Sequence, residues 1–343
     1  MQILFFVLGF LLFIGLILIH EWGHFIVARR NGVEVEEFGL GLPPRAYSKK
    51  LKSGMALSLN WLPLGGFVKL KGEHDSDVRR GSLGAASLVA KSKIMLAGVA
   101  MNALAGLLLL TILALIGLPK LIDNQFSVAR DTKIVHSQVL VGYIEPGSPA
   151  GKAGLSSRDV IKAIGVGGQS QAITTVAQLH DTMSAHGGQS LQLAISRGGK
   201  PQIKNVTLRT KAEVEPSLKT ANPKGYLGIE PTQLQAYRAT WSAPIVALGF
   251  TRQLVVLTVQ GLGHALGGLG STIAGTLTGN KEARVNGQSE ATAQVGGPVA
   301  IGALLWNGGS LGFNFMLMII AVVSLTLAFM NILPLPVLDG GRL

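Results

Sequence analysis

From Ile3 to Ile19 the chain carries no charged side chain, and that apolar run ends in His20-Glu21-Trp22-Gly23-His24. At 1.5 Å of rise per residue, a helix from Ile3 to His20 covers roughly 27 Å, close to the thickness of a bilayer's hydrocarbon layer. Two imidazoles and a carboxylate therefore arrive near the inner boundary of a membrane span. Residues four apart share one face of a helix, so His20 and His24 can grip one metal ion. Glu21 stands where the general base of a zinc protease belongs. Ionisable groups at this depth are costly, and they mark functional sites.

The 343 residues are 48% hydrophobic and only 14% charged, with mean hydropathy +0.42. Such a composition is too apolar for an ordinary soluble domain and calls for several membrane spans. No cysteine is present, which excludes disulfides and thiolate zinc sites and leaves His, Asp or Glu as ligands. The net charge of +12 concentrates in loops beside apolar spans. It reads as positive-inside topology and attraction to anionic lipid, not nucleic-acid binding. The start lacks the basic n-region and the cleavage site of a secretory signal peptide, so the first span is read as retained with its N-terminus outside.

Val27–Lys93 holds 12 Lys and Arg against 6 Asp and Glu, which assigns this loop to the cytoplasm. Within it, Phe38 to Leu70 reads as short strands with a turn at Pro63-Leu64-Gly65-Gly66-Phe67. That hairpin either presents a strand edge to substrate or is a juxtamembrane loop without substrate contact. Ile94 to Leu118 is a second span, with small residues for close helix packing. Its Asn102 either bonds a neighbouring helix or serves catalysis.

Pro119 to about Thr240 has the length of one small globular domain, placed outside the cytoplasm by the second crossing. Trp241–Gly279 is apolar but interrupted by Arg252 and glycines, which favours an amphipathic helix on the outer surface over a span. Lys281–Gln294 is a polar loop. Leu311–Leu333 is the third span, and it returns Asp339 to the side of His20 and His24, so the three can meet. Catalytic zinc takes three protein ligands and keeps one position open. Asn331 is the first candidate to steady an oxyanion there, and Asn102 the second. His74, His136, His180, His186 and His264 read as ordinary solvated residues.

Several motifs in order resemble the site-2 protease family, in its RseP-type bacterial branch. They are His20–His24, the Leu62–Lys69 segment with Gly72-Glu73, and Asn331 through Leu338-Asp339-Gly340. The Tyr226-Leu227-Gly228-Ile229 and Gly297-Pro298-Val299-Ala300-Ile301 stretches fit as well. Val141–Ala150, Ala153-Gly154-Leu155 and Asp159-Val160-Ile161 resemble a PDZ domain. The resemblance covers the whole chain. It implies a multi-pass α-helical membrane protein with a short cytoplasmic β-rich loop and an inserted extracytoplasmic PDZ (α+β) domain. The divisions are 1–118, 119–240 and 241–343.

The resemblance also implies regulated intramembrane proteolysis at the cell's inner membrane, the site lying near the cytoplasmic face. His20, His24 and Asp339 would ligate Zn2+, with Glu21 as base. Asn331 would bind substrate backbone, and Leu64, Gly65, Gly66 and Phe67 would clamp it as an added strand. Substrates would be single-span membrane proteins of the anti-sigma-factor or signal-peptide kind. The PDZ groove, bordered by Val141, Gly142, Tyr143 and Ile144, would take a peptide; the other reading of those four is plain core strand.

Departures from the family pattern are Val99 after Gly98 where Pro is usual, Arg158 where Gly is usual, and Arg342 where His is common. The family continues into one more span, so the sequence is read as truncated soon after Asp339, its third ligand near a fraying end. Two other classes compete: a membrane-anchored PDZ module with a vestigial motif, and a transporter passing metal or protons.

Overall fold

The computed structural model describes residues 2–73, 77–278, 280–282, 298–309, 311–334 and 338–342. His74, Gly297, Leu335–Val337 and most of the Lys281–Gln294 loop lie outside this set, as does the side chain of Leu64. The chain divides into two compact units.

The larger unit comprises 1–118, 124–131 and 239–343. Its elements are helix α1 (Gln2–Arg30), strands β1 (Val35–Lys50) and β2 (Ala56–Leu70), and helix α2 (Leu88–Ile116). Three more helices follow, α4 (Ala243–Thr278), α5 (Pro298–Gly309) and α6 (Phe313–Met330). Among the described residues, four helices are long and apolar enough to cross a membrane: Ile3–Arg30, Leu88–Ile116, Ala243–Ala274 and Phe313–Met330. Trp241–Gly279, read from the sequence as a surface helix, therefore contains a helix that also meets the length and composition of a span.

Small residues set how closely these helices approach. A Cβ on Gly23 of α1 would stand 2.7 Å from the Ala97 carbonyl of α2, and one on Gly106 of α2 would stand 2.6 Å from Leu325 of α6. Backbones this close gain dispersion contacts that lipid cannot compete with. Ser87 caps α2 by accepting from the Ala90 amide, and Gly117, at φ 135°, ends it. The Asn314 side-chain amide donates to the Gly117 carbonyl at 2.9 Å, tying the start of α6 to the end of α2.

β1 and β2 each contain two short strands, as expected: 35–40 lies between 66–70, antiparallel to it, and 56–59, parallel to it, and 45–50 pairs antiparallel with 56–60. The chain therefore reverses between Leu62 and Gly66, within the segment read as a turn. Another reversal lies at 51–55, where Leu51 N–H donates to Met55 O and Gly54 adopts φ 87°. Gly65 (φ 111°) and Gly41 (φ 84°) fall where the register shifts. Gly41 lies between 35–40 and 45–50 and Gly65 between 56–60 and 66–70, so each glycine takes its positive φ where the chain turns back. Trp22 and Phe25 of α1 pack edge-on against Phe38 of β1, which seats the hairpin on the helix.

The smaller unit comprises 119–123 and 132–238. Its strands are β3 (Lys133–Ile144), β4 (Val160–Val166), β5 (Gln169–Ala172), β6 (Ser190–Arg197), β7 (Lys200–Thr207) and β8 (Ile229–Arg238). They run in the order β8-β3-β4-β6-β7, with β5 paired to β4. Helix α3 (Val176–Ala185) opens with a capping box between Thr175 and Gln178. Alternating residues such as Val139, Val141, Ile161, Ile164, Leu193 and Ile195 bury against Leu179 and Met183 of α3. That period of two on strands and four on the helix is the expected signature of a one-sided sheet. Buried Asp159 is gripped by Arg197 at 2.7 Å through both guanidinium arms. Arg158 adopts φ 71°, a backbone region that suits glycine better than arginine.

Candidate metal centre

The site forms inside the larger unit, from both ends of the sequence. His20 and His24 stand one turn apart on α1. Past the end of α6, the Gly340 amide donates to Asn331 O at 2.8 Å, folding the chain back. A Cβ on Gly340 would stand 2.3 Å from the Ile332 carbonyl, so the turn has room only for glycine. This return carries Asp339 to the imidazoles. His20 Nε2 lies 3.1 Å and His24 Nε2 3.4 Å from Asp339 Oδ2, and the two Nε2 atoms are 3.2 Å apart.

Three donors at these spacings suit one cation. With zinc–ligand bonds near 2.0–2.1 Å, the edge of a tetrahedron is about 3.3 Å. Asp339 Oδ2 is buried and makes no hydrogen bond of good geometry, despite the two nearby ring nitrogens. A buried carboxylate oxygen left so is expensive unless a cation completes it. His24 is oriented to be a ligand. Its Nδ1–H donates to the Ile94 carbonyl of α2 at 2.7 Å, a group that can only accept, so Nε2 keeps its lone pair. Among the described residues His20, His24 and Asp339 are the one group of three metal-capable side chains close enough to share an ion.

A cavity of about 200 Å³ opens beside them, lined by Glu21, His24, Gly66, Phe67, Glu73 and Asp339 among others. A Cβ on Gly66 would stand 3.0 Å from Glu21 Cγ. The turn that ends at Gly66 therefore sits against the side chain of the glutamate expected to act as base. Phe67 turns its ring over Gly39, where a Cβ would stand 2.3 Å from it.

Of the expected site residues, the structure brings together Glu21, His20, His24, Asp339, Gly66 and Phe67. Gly65 lies one position away, within the turn. Asn102 is 2% exposed, with Nδ2 3.3 Å from His20 Nδ1. Asn331 caps the end of α6 and contributes its backbone carbonyl to the turn. Val141–Ile144 belong to the other unit, where they pair with Pro231, Glu230 and Ile229 of β8. On the opposite side, Val141 N–H donates to Asp159 O and Val141 O accepts from Arg158 N–H. With both sides of Val141 occupied, a strand-adding peptide must use another edge.

Sequence reasoning gave Gly98 no role at the site. A Cβ there would stand 2.4 Å from His24 Nε2 and 2.6 Å from His20 Cε1, so Gly98 makes the space the imidazoles occupy. Its position one turn before Asn102 was the available signal. Glu73 appeared only as part of a motif, and the cavity now includes it.

The chain resembles a "Putative zinc metalloprotease" of Clostridium perfringens, 30% identical over 339 residues that cover 98% of this chain and 85% of the relative. Relatives of the same designation occur in Brucella suis, 25% identical over 342 residues (95% and 81%), and in Nostoc, 27% identical over 335 residues (96% and 81%). The family description "Peptidase family M50" matches residues 8–343. The metal-capable triad, the glutamate beside it and a family match across nearly the whole sequence lead to one statement: this chain belongs to peptidase family M50, the site-2 proteases, and is a multi-pass membrane protein.

Proposed function

We propose that this protein is an intramembrane zinc endopeptidase that cuts the membrane-spanning segments of single-span proteins in regulated intramembrane proteolysis, anti-sigma factors or leftover signal peptides being the fitting substrate types. The observation that carries the reading is the convergence of His20 Nε2, His24 Nε2 and Asp339 Oδ2 within 3.4 Å of one another. These three would hold the zinc. When bound, zinc acidifies a water and polarises the scissile carbonyl. Glu21 accepts that water's proton during attack on the peptide carbon, then passes it to the departing amine. A substrate strand laid along the Gly65–Phe67 segment would place its backbone beside Glu21. The Asn331 side chain is assigned to steady that backbone.

Topology supports a site near the cytoplasmic face. The basic excess around the hairpin puts the end of α1 inside. The Asn314–Gly117 bond sets the start of α6 level with the outer end of α2, so α6 runs inward to Asp339. A crossing by α4 would need a second crossing before α6. Of the described helices between them, α5 has 12 residues, about 18 Å, too short to span. On this argument α4 lies on the outer surface, and the smaller unit is extracytoplasmic.

We read that smaller unit as a PDZ-type module. A peptide would add along β8, whose Ile229–Gln233 stretch begins at the Tyr226–Gly228 loop, with α3 as the other wall; Gln233 Oε1 already reaches the Val176 amide at 3.4 Å.

The test is cleavage of a reconstituted single-span substrate. Glu21→Gln is expected to retain zinc stoichiometrically and to lose at least 10²–10⁴-fold in rate, and chelator is expected to stop the wild type. Equal cleavage by Glu21→Gln would reject the mechanism.

A further inference from the structure

The two imidazoles receive unequal support. For both to present Nε2 to a cation, both must carry their proton on Nδ1. His24 gives that proton to the Ile94 carbonyl. Among the described residues no carbonyl takes that role for His20; its Nδ1 faces the side-chain amide of Asn102 at 3.3 Å.

We propose that Asn102 is the positioning residue for His20, its amide oxygen accepting from His20 Nδ1–H and so directing the Nε2 lone pair toward Asp339 and His24. The inference rests on the zinc reading above. An amide's oxygen and nitrogen are alike in shape, and the hydrogen-bond network decides which faces where. With nitrogen toward His20, the ring would have to keep its lone pair on Nδ1 and its proton on Nε2, where a ligand needs none. The same orientation leaves Asn102 Oδ1 buried without a hydrogen bond. With oxygen toward His20, the acceptor meets the Nδ1 proton that the ligand role requires.

The acceptor is also held firmly. Asn102 O receives the hydroxyl of Ser324, a fully buried residue of α6, at 2.7 Å. Gly98, one turn earlier, lets both rings approach α2. Three helices thus meet at Asn102: α1 through His20, α2 through its backbone, and α6 through Ser324. Any shift of α6 relative to α2 would reach His20 through this contact.

The test compares zinc affinity, by competition with a fluorescent chelator, in detergent-solubilised full chain carrying Asn102→Ala or Asn102→Asp. Loss of an outer-shell acceptor typically weakens metal binding 10–100-fold, and Asn102→Ala is expected to fall in that range with thermal unfolding near that of the wild type. Asn102→Asp, whose carboxylate accepts from an imidazole N–H, is expected to keep the wild-type affinity. Unchanged affinity in the Ala variant, or an Asp variant as weak as Ala, overturns the proposal and leaves the zinc reading standing. A wild type that binds no zinc overturns both. Should the variants not fold, ¹⁵N-histidine spectra of the zinc-loaded wild type decide it. A slowly exchanging proton on His20 Nδ1 supports the proposal, and a proton on His20 Nε2 ends it.

Discussion

Two carboxylates, Asp159 of the sheet unit and Asp339 of the helical unit, are treated in opposite ways. Asp159 in the sheet unit is fully buried, with Arg197 on both oxygens and the Ser156 amide on Oδ2 at 2.8 Å. Its acceptors are used up. Asp339 in the helical unit keeps Oδ2 buried without a good hydrogen bond while two ring nitrogens lean toward it. A buried charge must be compensated. Where the compensation is a neighbouring guanidinium, the carboxylate holds a fold together. Where it is left to be supplied, the carboxylate is a place for something to bind. The packing follows the same division: aliphatic side chains fill the sheet unit, whereas glycine and small residues draw the helices together and leave polar groups inside.

Breaking each carboxylate separately puts that contrast to work. Asp339→Ala removes one donor of three and is expected to abolish both zinc binding and cleavage, with the sheet unit's unfolding unchanged; retained zinc would remove the distinction altogether. Gly98→Ala pushes a methyl into the imidazoles, and displacements near 1 Å cost about 10²-fold in rate, so kcat should fall by that order in the substrate assay. Arg197→Leu strands Asp159 in the interior. Calorimetry should show about 2–3 kcal/mol of destabilisation, below the full buried-pair value because Arg197 keeps an edge in water, with zinc content unaltered.

Acid should also separate the units. The Arg209 hydrogen bond at 2.7 Å holds the Glu145 carboxyl below the usual glutamate range. A depressed carboxylate stabilises the fold above that range, and the contribution is lost as pH falls through it. Arg209→Gln should flatten the decline of the sheet unit's melting temperature between neutral and acidic pH, without moving zinc content at neutral pH. The smallest effect belongs to Arg158→Gly, which relieves a left-handed backbone at φ 71° and should stabilise the sheet unit by about 1 kcal/mol.

Much of the centre could be read in the sequence, because helical spacing alone puts His20 and His24 on one face, and an uncharged span ending in Asp339 limits where that residue can go. The β-rich loop was legible in part. Alternation and Gly/Pro punctuation give its short strands and the turn at Gly65-Gly66, but their pairing order, with 35–40 between 66–70 and 56–59, depends on contacts between distant parts of the chain. For Val141–Ile144 the sequence left groove border and core strand open, because alternation cannot tell an interior strand from an outer one. Gly98 passed unnoticed for a related reason: a missing side chain shows its purpose only when the groups filling its space are in view.

The Gly340–Asn331 hydrogen bond holds Asp339 beside residues made at the very start of synthesis. On the proposed reading, a centre whose parts come from α1 and from beyond α6 stays incomplete until every intervening element has been synthesised and packed. Half-made copies would carry His20, Glu21 and His24 through the membrane harmlessly. The order of synthesis would itself be a safety catch, released by the arrival of one aspartate.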